Sequence, residues 1–186
     1  MTVVIGAVVN KTIYLAGDSF CGDEDTAELC RDPKVLNVRH DIGLGLCGDV
    51  RTERLVTKAI KSIFSRRKKS VTDVWLKSEF SIQLHNKLKN SGVLRDDKGI
   101  HHLEDSQYIL AHDGHIYYLD ENLALWESQM PYVAIGAGRN HALSGLGFAH
   151  ICGALEENPK KALKTVLDLC ALHSPWVYPP YTYLEI

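Results

Sequence analysis

The fold of this chain is decided by two runs of β-forming residues, MTVVIGAVV at 1–9 and TIYLAGDS at 12–19. The polar pair Asn10-Lys11 separates them, and two such runs joined by a two-residue polar turn are typical of a β-hairpin. Folding at this turn returns the end of the second run to the start of the first. We therefore predict that Asp18 lies close to Thr2.

Thr2 stands one residue from the first methionine of the sequence. A terminal threonine carries a hydroxyl nucleophile and an α-amine whose unperturbed pKa is about 7.7 to 8.0, so one residue can supply nucleophile and base together. An ordinary hairpin, in which Thr2 is only a β-forming residue, is the alternative. The first run by itself favours that alternative.

Length and composition indicate one domain, residues 1–186, that needs no disulfide to fold. The five cysteines are odd in number and widely spaced, without a CxxC pair, and the sequence has no signal peptide or long apolar span. We expect a reduced, soluble, cytoplasmic protein. A net charge of −2 and a pI near 6.5 give no general attraction to nucleic acid or membrane, and neither is an expected partner.

The segment after the hairpin predicts a loop, two strands and a helix start. Residues 19–25 are too polar and irregular for a strand, and Pro33 leads into an extended run at 34–39. A turn at 40–41 precedes a short apolar strand, 42–48. Because Gly48-Asp49 runs straight into a helix, backbone N–H groups at this corner can hold a developing oxyanion.

Two pairs of amphipathic helices are expected, each after a set of strands. Asp49 caps the first helix, a second amphipathic segment begins at 71 and ends at 90–92, a small-residue helix covers 140–155, and the last begins at Pro159. The basic run 65–70 is expected to be a solvated turn, and 95–99 a loop. A three-stranded meander is predicted over 108–126, with further strands at 131–136 and 181–186.

The histidines at 101–102 and 112–115 could suggest a metal site. Their spacing lacks a second defined pair of ligands, so surface or turn positions are favoured. No metal and no cofactor is expected.

The order strands, two helices, strands, two helices, strand predicts two stacked sheets with a helix layer on either side. The predicted fold class is α+β, a four-layer αββα sandwich.

Several of the residues described above are shared with a known family. The chain resembles proteasome β-type subunits and their simple, HslV-type bacterial relatives over nearly its whole length. The resemblance is carried by the following residues at the family's relative spacing: Thr2, Gly17-Asp18-Ser19, Lys34, Gly48 and the stretch 134–138, AIGAG. It implies an N-terminal-nucleophile (Ntn) hydrolase of the threonine peptidase type.

The resemblance also implies a role for each matching residue. Thr2, once Met1 is removed, would attack a peptide carbonyl, and its own amine would accept the proton. Lys34, paired with Asp18, would favour the alkoxide, and the Gly48 N–H would bind the oxyanion. A plain structural ion pair is the alternative for Lys34 and Asp18.

Substrate and partners follow from the same resemblance. It implies a peptide or unfolded protein as substrate, a ring of identical subunits, and an ATP-driven unfoldase as partner. Four residues fall where the family shapes its substrate pocket, although their mixed character fixes no cleavage preference: Phe20, Cys21, Asp32 and Leu46.

Three positions depart from the family pattern. Ala137 and Val177 stand where the family carries a hydroxyl, and Ser174 stands where it carries an aspartate. A retained Met1 would also turn the Thr2 amine into an amide without useful basicity. Two functions therefore stay open: a threonine-type endopeptidase, or an inactive proteasome-fold scaffold or assembly protein, for example in a phage-like context. A general Ntn amidase acting on small substrates is a third.

Overall fold

The chain begins with the predicted hairpin, in a computed structural model that describes residues 2–22, 27–67, 70–104 and 106–186. Strand β1 (Val3–Val9) pairs antiparallel with β2 (Thr12–Gly17), and the register joins Val9 to Thr12. Both turn residues have positive φ, 51° at Asn10 and 67° at Lys11, as a type I′ turn requires. The hairpin prediction is confirmed. The expectations for Met1, for residues 23–25 and for residues 68–69 lie outside the described residues.

Further strands and helices follow in chain order. The strands are β3 (Phe20–Gly22), β4 (Ala27–Leu29), β5 (Val35–Arg39), β6 (Ile42–Cys47), β7 (Leu94–Asp97), β8 (Ile100–Leu103), β9 (Gln107–His112), β10 (His115–Leu119), β11 (Leu125–Glu127), β12 (Tyr132–Gly136) and β13 (Thr182–Glu185). The helices are α1 (Val50–Arg66), α2 (Asp73–Trp75), a π-helical turn (Leu76–Phe80), α3 (Ser81–Leu88), α4 (Arg139–Ile151), α5 (Ala154–Glu157) and α6 (Pro159–His173).

Two antiparallel sheets form the centre of the molecule. The first has the strand order β12-β1-β2-β13, and the second has the order β11-β10-β9-β6-β5. Successive residues of a strand point to opposite faces, so the continuous apolar run of β1 has two apolar faces. Val4 packs between the sheets with Ile109 and Ile116 of the second sheet.

A helix layer covers the outer face of each sheet. Val3 and Ile5 of β1 pack with Leu146 of α4 and Leu163 of α6. On the second sheet, residues of β6 and β9 pack with the first helices, including Leu44, Leu110, Ile60, Phe64 and Phe80. The layer order is therefore helix, sheet, sheet, helix, which confirms the predicted αββα sandwich.

Two predicted loops are two-stranded ribbons instead. Strands β3 and β4 pair where we expected a loop beginning at Ser19, and β7 and β8 pair around the turn at Lys98-Gly99. Both turn residues of the second ribbon have positive φ, 54° and 87°. The residues of β7 are largely exposed, so burial imposes no alternation of apolar and polar residues on them. Turn geometry and backbone pairing form this ribbon, and neither requires a pattern of apolar residues in the sequence.

Each predicted helix is present, but two of them are divided into shorter elements. Asp49 caps α1 as predicted, accepting a 2.9 Å hydrogen bond from the Thr52 N–H. The helix expected over 140–155 is broken at Gly153, whose φ of 78° is left-handed and ends a helix. The final strand pairs with β2, as far as Glu185 opposite Tyr14. In the described ranges no helix is both long and apolar enough to cross a bilayer.

Candidate active site

The side chains of Thr2, Asp18 and Lys34 meet at one end of the two central strands. The Thr2 hydroxyl donates to Asp18 Oδ1 and accepts a hydrogen bond from the Lys34 ammonium. Lys34 Nζ also lies 3.3 Å from Asp18 Oδ1. All three residues are buried, with 2%, 1% and 9% of their surfaces exposed. The structure therefore brings together the three side chains that the sequence singled out.

Backbone donors surround the Asp18 carboxylate. Its Oδ1 accepts a hydrogen bond of 3.0 Å from the Val3 N–H, and its Oδ2 accepts bonds of 3.0 Å from Phe20 and 3.4 Å from Tyr178. A buried charge is tolerated where hydrogen bonds and a counter-charge replace its water. The first residue of β1, the first residue of β3 and the loop before β13 supply these donors, so the carboxylate is held in one orientation.

The Lys34 ammonium group has an acceptor for each of its three N–H donors. Besides Thr2 and Asp18, it donates to the carbonyl of Phe20, which accounts for three donors. Its backbone is held as well, because the Lys34 carbonyl accepts a 2.8 Å bond from the Leu46 N–H. The positive charge is thus fixed beside the Thr2 oxygen, where it favours any negative charge that develops there.

The glycine-rich stretch 134–138 holds the backbone of Thr2. The Gly138 N–H donates to the Thr2 carbonyl at 3.3 Å. Gly136 has a φ of 91°, and a Cβ there would collide with the Thr2 carbonyl oxygen. These glycines therefore allow β12 and the start of α4 to approach Thr2 closely.

Gly48 lies between β6 and α1, at the corner predicted to bind an oxyanion. A Cβ at this position would lie 3.0 Å from Ser106 Cβ and 3.1 Å from Ser106 Cα, so a side chain does not fit. The Glu53 carboxyl interacts with the Gly48 N–H, and burial raises the pKa of that carboxyl to about 7. A carboxyl of this chain therefore lies beside the donor that was predicted for an oxyanion.

A cavity of about 790 Å³ opens in front of these residues. Thr2, Lys34 and Gly48 line it, whereas Asp18 lies behind Thr2. The four residues predicted to shape a substrate pocket also line it: Phe20, Cys21, Asp32 and Leu46. Phe20 is only 1% exposed, because its ring packs against the rings of Trp176 and Tyr178.

Sequence reasoning missed several residues of this cavity, above all Glu53, Cys30 and Lys58. Glu53 follows the Asp49 cap by one helical turn, and its backbone N–H donates to the Asp49 carbonyl at 2.8 Å. Residues one turn apart share a helix face. That spacing was the available signal that Glu53 faces the same corner as Gly48.

The departures from the family pattern also surround the site. Val177 is 1% exposed and packs against Gly138. Ser174 is buried, and its hydroxyl accepts a 3.3 Å bond from the Trp176 N–H. The loop that contains both residues contacts Asp18 through the backbone N–H of Tyr178. Position 174 itself carries a hydroxyl and not a carboxylate.

The histidines have other partners. His85 Nε2 and His101 Nδ1 lie 2.8 Å apart, His112 Nδ1 lies 3.0 Å from the Asp41 carbonyl, and His115 Nδ1 lies 2.6 Å from Glu127. Within the part of the chain that the structure describes, no group of three or more metal-ligating side chains comes together.

Comparisons with known proteins gave structural matches only. No protein-family model and no curated protein sequence matches the chain. The bacterial proteasome homologue BPH of Thiobacillus denitrificans has a TM-score of 0.78 at 17% identity, over 100% of this chain and 97% of that one. The same protein in complex with epoxomicin has a TM-score of 0.76 at 16% identity, over 100% and 98%.

The third structure is eukaryotic HslV from Trypanosoma brucei, with a TM-score of 0.71 at 12% identity, over 99% of this chain and 98% of that one. The chain has the proteasome-like Ntn-hydrolase fold. The resemblance drawn from Thr2, Lys34 and the glycine-rich stretch is confirmed at the level of the fold. In this proteasome-like fold, the head of β1, the end of β2 and the start of β5 converge on the cavity.

Proposed function

We propose that this chain is a threonine-type endopeptidase subunit, active once Met1 has been removed. The observation that carries the proposal is the Thr2 hydroxyl on the wall of a cavity, hydrogen-bonded to both Asp18 and Lys34. An exposed threonine on a strand has no such partners. A buried threonine between a carboxylate and an ammonium has the surroundings of an activated nucleophile.

The reaction starts when Thr2 Oγ1 attacks the carbonyl carbon of a peptide bond. The hydroxyl proton passes to the free α-amine of Thr2, directly or through a water, and Lys34 stabilises the alkoxide character of the oxygen. Collapse of the tetrahedral intermediate breaks the C–N bond, and the leaving amine takes up the proton. Water then hydrolyses the Thr2 ester and frees the hydroxyl.

The Gly48 N–H is the donor we assign to the oxyanion of the intermediate. Removing one such donor typically costs about 3 to 4 kcal/mol in the barrier. The Glu53 carboxyl interacts with this N–H, so a bound oxyanion would compete with it. Phe20, Cys21, Asp32 and Leu46 are then the residues that contact the substrate side chain.

A peptide or unfolded protein is the substrate class we assign. We further propose a homo-oligomeric ring, an ATP-dependent unfoldase as partner, and a cytoplasmic location. Two large apolar side chains on α4 support the assembly, Phe148 at 72% exposed and Ile151 at 85% exposed. Light scattering of the purified protein measures the assembly directly, and a monomer would contradict this part of the proposal.

A second candidate function is an inactive proteasome-fold scaffold or assembly protein. It is favoured by Ser174 and Val177, which place neither a carboxylate nor a second hydroxyl beside Thr2. A protonated amine without a carboxylate partner is less well stabilised. Slow or absent turnover would follow, with the fold intact.

Intact mass and covalent labelling distinguish the two. The endopeptidase requires a chain that has lost one methionine, and labelling of Thr2 by the peptide epoxyketone epoxomicin. Thr2→Ala should abolish peptide hydrolysis, whereas Thr165→Ala on the exposed face of α6 should not. Retained Met1 without labelling supports the scaffold, and turnover of small amides without peptide cleavage supports an amidase. Unchanged hydrolysis in Thr2→Ala would eliminate the assigned nucleophile.

A further inference from the structure

The β3–β4 ribbon forms part of the cavity wall and carries two cysteines. Cys21 lies on β3, opposite Glu28, and Cys30 directly follows β4, where its N–H donates to the Ser19 carbonyl at 2.8 Å. Both cysteines are partly exposed, and both line the cavity. They are therefore reachable from the solvent that fills it.

The two cysteines lie on the same face of the ribbon. Cys30 stands two residues beyond Glu28, the partner of Cys21, so the two side chains share one face of the ribbon on a diagonal. The two side chains interact, and burial together with Cys30 raises the pKa of the Cys21 thiol. The other cysteines belong to other elements: Cys47 ends β6, Cys152 follows α4, and Cys170 lies in α6.

We propose that Cys21 and Cys30 are a redox pair that closes to an intramolecular disulfide across the cavity wall when the protein meets a disulfide oxidant such as oxidised glutathione. An S–S bond of about 2.05 Å requires two neighbouring thiols, and the shared face of the ribbon places these two side chains beside each other. This proximity also makes the second step intramolecular, so it outpaces the attack of another molecule.

The chemistry is a two-step thiol–disulfide exchange. One protein thiolate attacks a sulfur of oxidised glutathione, which breaks the S–S bond, forms a mixed disulfide and releases one glutathione. The second thiol gives up its proton and attacks the protein sulfur of the mixed disulfide, which releases the second glutathione. Two S–H bonds become one S–S bond, two electrons pass to glutathione, and the two protons end on its thiols.

The disulfide would cross-link the cavity wall one residue from a contact of the candidate active site. Phe20 precedes Cys21, and its backbone N–H and carbonyl contact Asp18 and Lys34 respectively. The wall therefore has a reduced, hydrogen-bonded form and an oxidised, covalently closed form. This inference concerns the thiols alone, so it stands whether or not Thr2 is a nucleophile.

The test uses the full folded chain carrying Cys152→Ser, because Cys152 is exposed and would itself react with glutathione. After incubation with oxidised glutathione and alkylation, we expect two free thiols to disappear with a loss of two hydrogen masses and no glutathione adduct. Dithiothreitol should restore both thiols. An accumulating glutathione adduct, or a full count of free thiols, would overturn the proposal.

Peptide mapping identifies the pair. Trypsin leaves both cysteines in the single peptide 12–31, whereas a glutamate-specific protease cuts between them, after Glu24 and Glu28. The two fragments should therefore stay joined until reduction. Cys21→Ser and Cys30→Ser are matched controls, and each should leave one thiol that retains a glutathione adduct. The mapping of the Cys152→Ser chain decides the question even where a control variant fails to fold, and a disulfide mapped to any other pair refutes the assignment.

Discussion

Lys34 Nζ lies 3.3 Å from Asp18 Oδ1, in an ion pair whose side chains are 10% and 0% exposed. The other contacts of the carboxylate are backbone N–H groups and the Thr2 hydroxyl. Breaking a buried pair leaves a charge without a partner, which costs far more than breaking an exposed one.

Asp18→Asn should therefore lower the free energy of unfolding by about 3 to 5 kcal/mol, because the Lys34 ammonium remains buried without its counter-charge. Asp32→Asn is the matched control, since Asp32 pairs with Arg54 at 3.0 Å but their side chains are 68% and 72% exposed. It should cost less than about 1 kcal/mol. Urea denaturation measures the free energy of unfolding of both variants. Equal losses would contradict the greater importance of the buried pair for stability.

Gly136→Ala should disrupt the position of Thr2. Alanine at a φ of 91° is strained by about 1 to 2 kcal/mol, and its Cβ would also collide with the Thr2 carbonyl oxygen. Gly99→Ala separates the two effects, because Gly99 has a φ of 87° and no atom within 4 Å of its added Cβ. Thermal unfolding should show Gly136→Ala to be the more destabilised variant by about 1 to 3 kcal/mol. Matching losses would mean that the collision is relieved at no cost.

Gly48→Ala should be destabilising through Ser106. Its Cβ would lie 3.0 Å from Ser106 Cβ and would overlap the Ser106 hydroxyl, which predicts a loss of about 1 to 3 kcal/mol. Adding Ser106→Gly removes both atoms, so the double variant should recover part of that loss. A double-mutant cycle by denaturant unfolding measures this coupling. Strictly additive losses would exclude Ser106 as the reason for glycine at position 48.

Glu53 should make stability depend on pH. Burial raises the pKa of its carboxyl from 4.5 to about 7 in the folded chain, so between these values the folded state keeps a proton that the unfolded state has lost. The contribution of Glu53 to the free energy of unfolding is therefore fully present below about pH 4.5. It falls as the pH rises to about 7, by about 2 to 3 kcal/mol in total.

Glu53→Gln cannot ionise, so its stability relative to the unsubstituted chain should increase over the same pH range. Its amide has nearly the same shape as the carboxyl, so the variant removes the charge and keeps the size of the side chain. Glu121→Gln on the exposed surface is the control and should leave the pH profile as it is. Parallel pH profiles for the Glu53→Gln and unsubstituted chains would refute the shifted pKa.

Sequence patterns predicted the layers because burial dictates them. The β1 run is apolar on both faces, which follows from a strand packed between a sheet and a helix layer, and Asp49 marked the start of α1. Thr2, Asp18 and Lys34 came from the family spacing together with the hairpin turn. The structure brings these three side chains together, and their chemical roles stay predictions.

The features that escaped prediction depend on contacts between distant residues. Strand β7 is largely exposed, so no apolar pattern marks the β7–β8 ribbon, and the break of the α4–α5 helix depends on the left-handed φ of Gly153. In the sequence, Glu53 resembles an ordinary solvent-facing helix residue. Only the packing of α1 beside the end of β6 buries it. The contact of Cys21 with Cys30 likewise exists only once the ribbon has formed.

The position of β1 has a consequence for local motion. The ends of strands often fray, yet β1 lies between β12 and β2, and its first amide, that of Val3, is bonded to the Asp18 carboxylate. Opening this end separately would break pairing on both sides of the strand. Amide hydrogen exchange at Val3 should consequently be as slow as in the middle of the sheet, so that Thr2 is held still by the global stability of the fold.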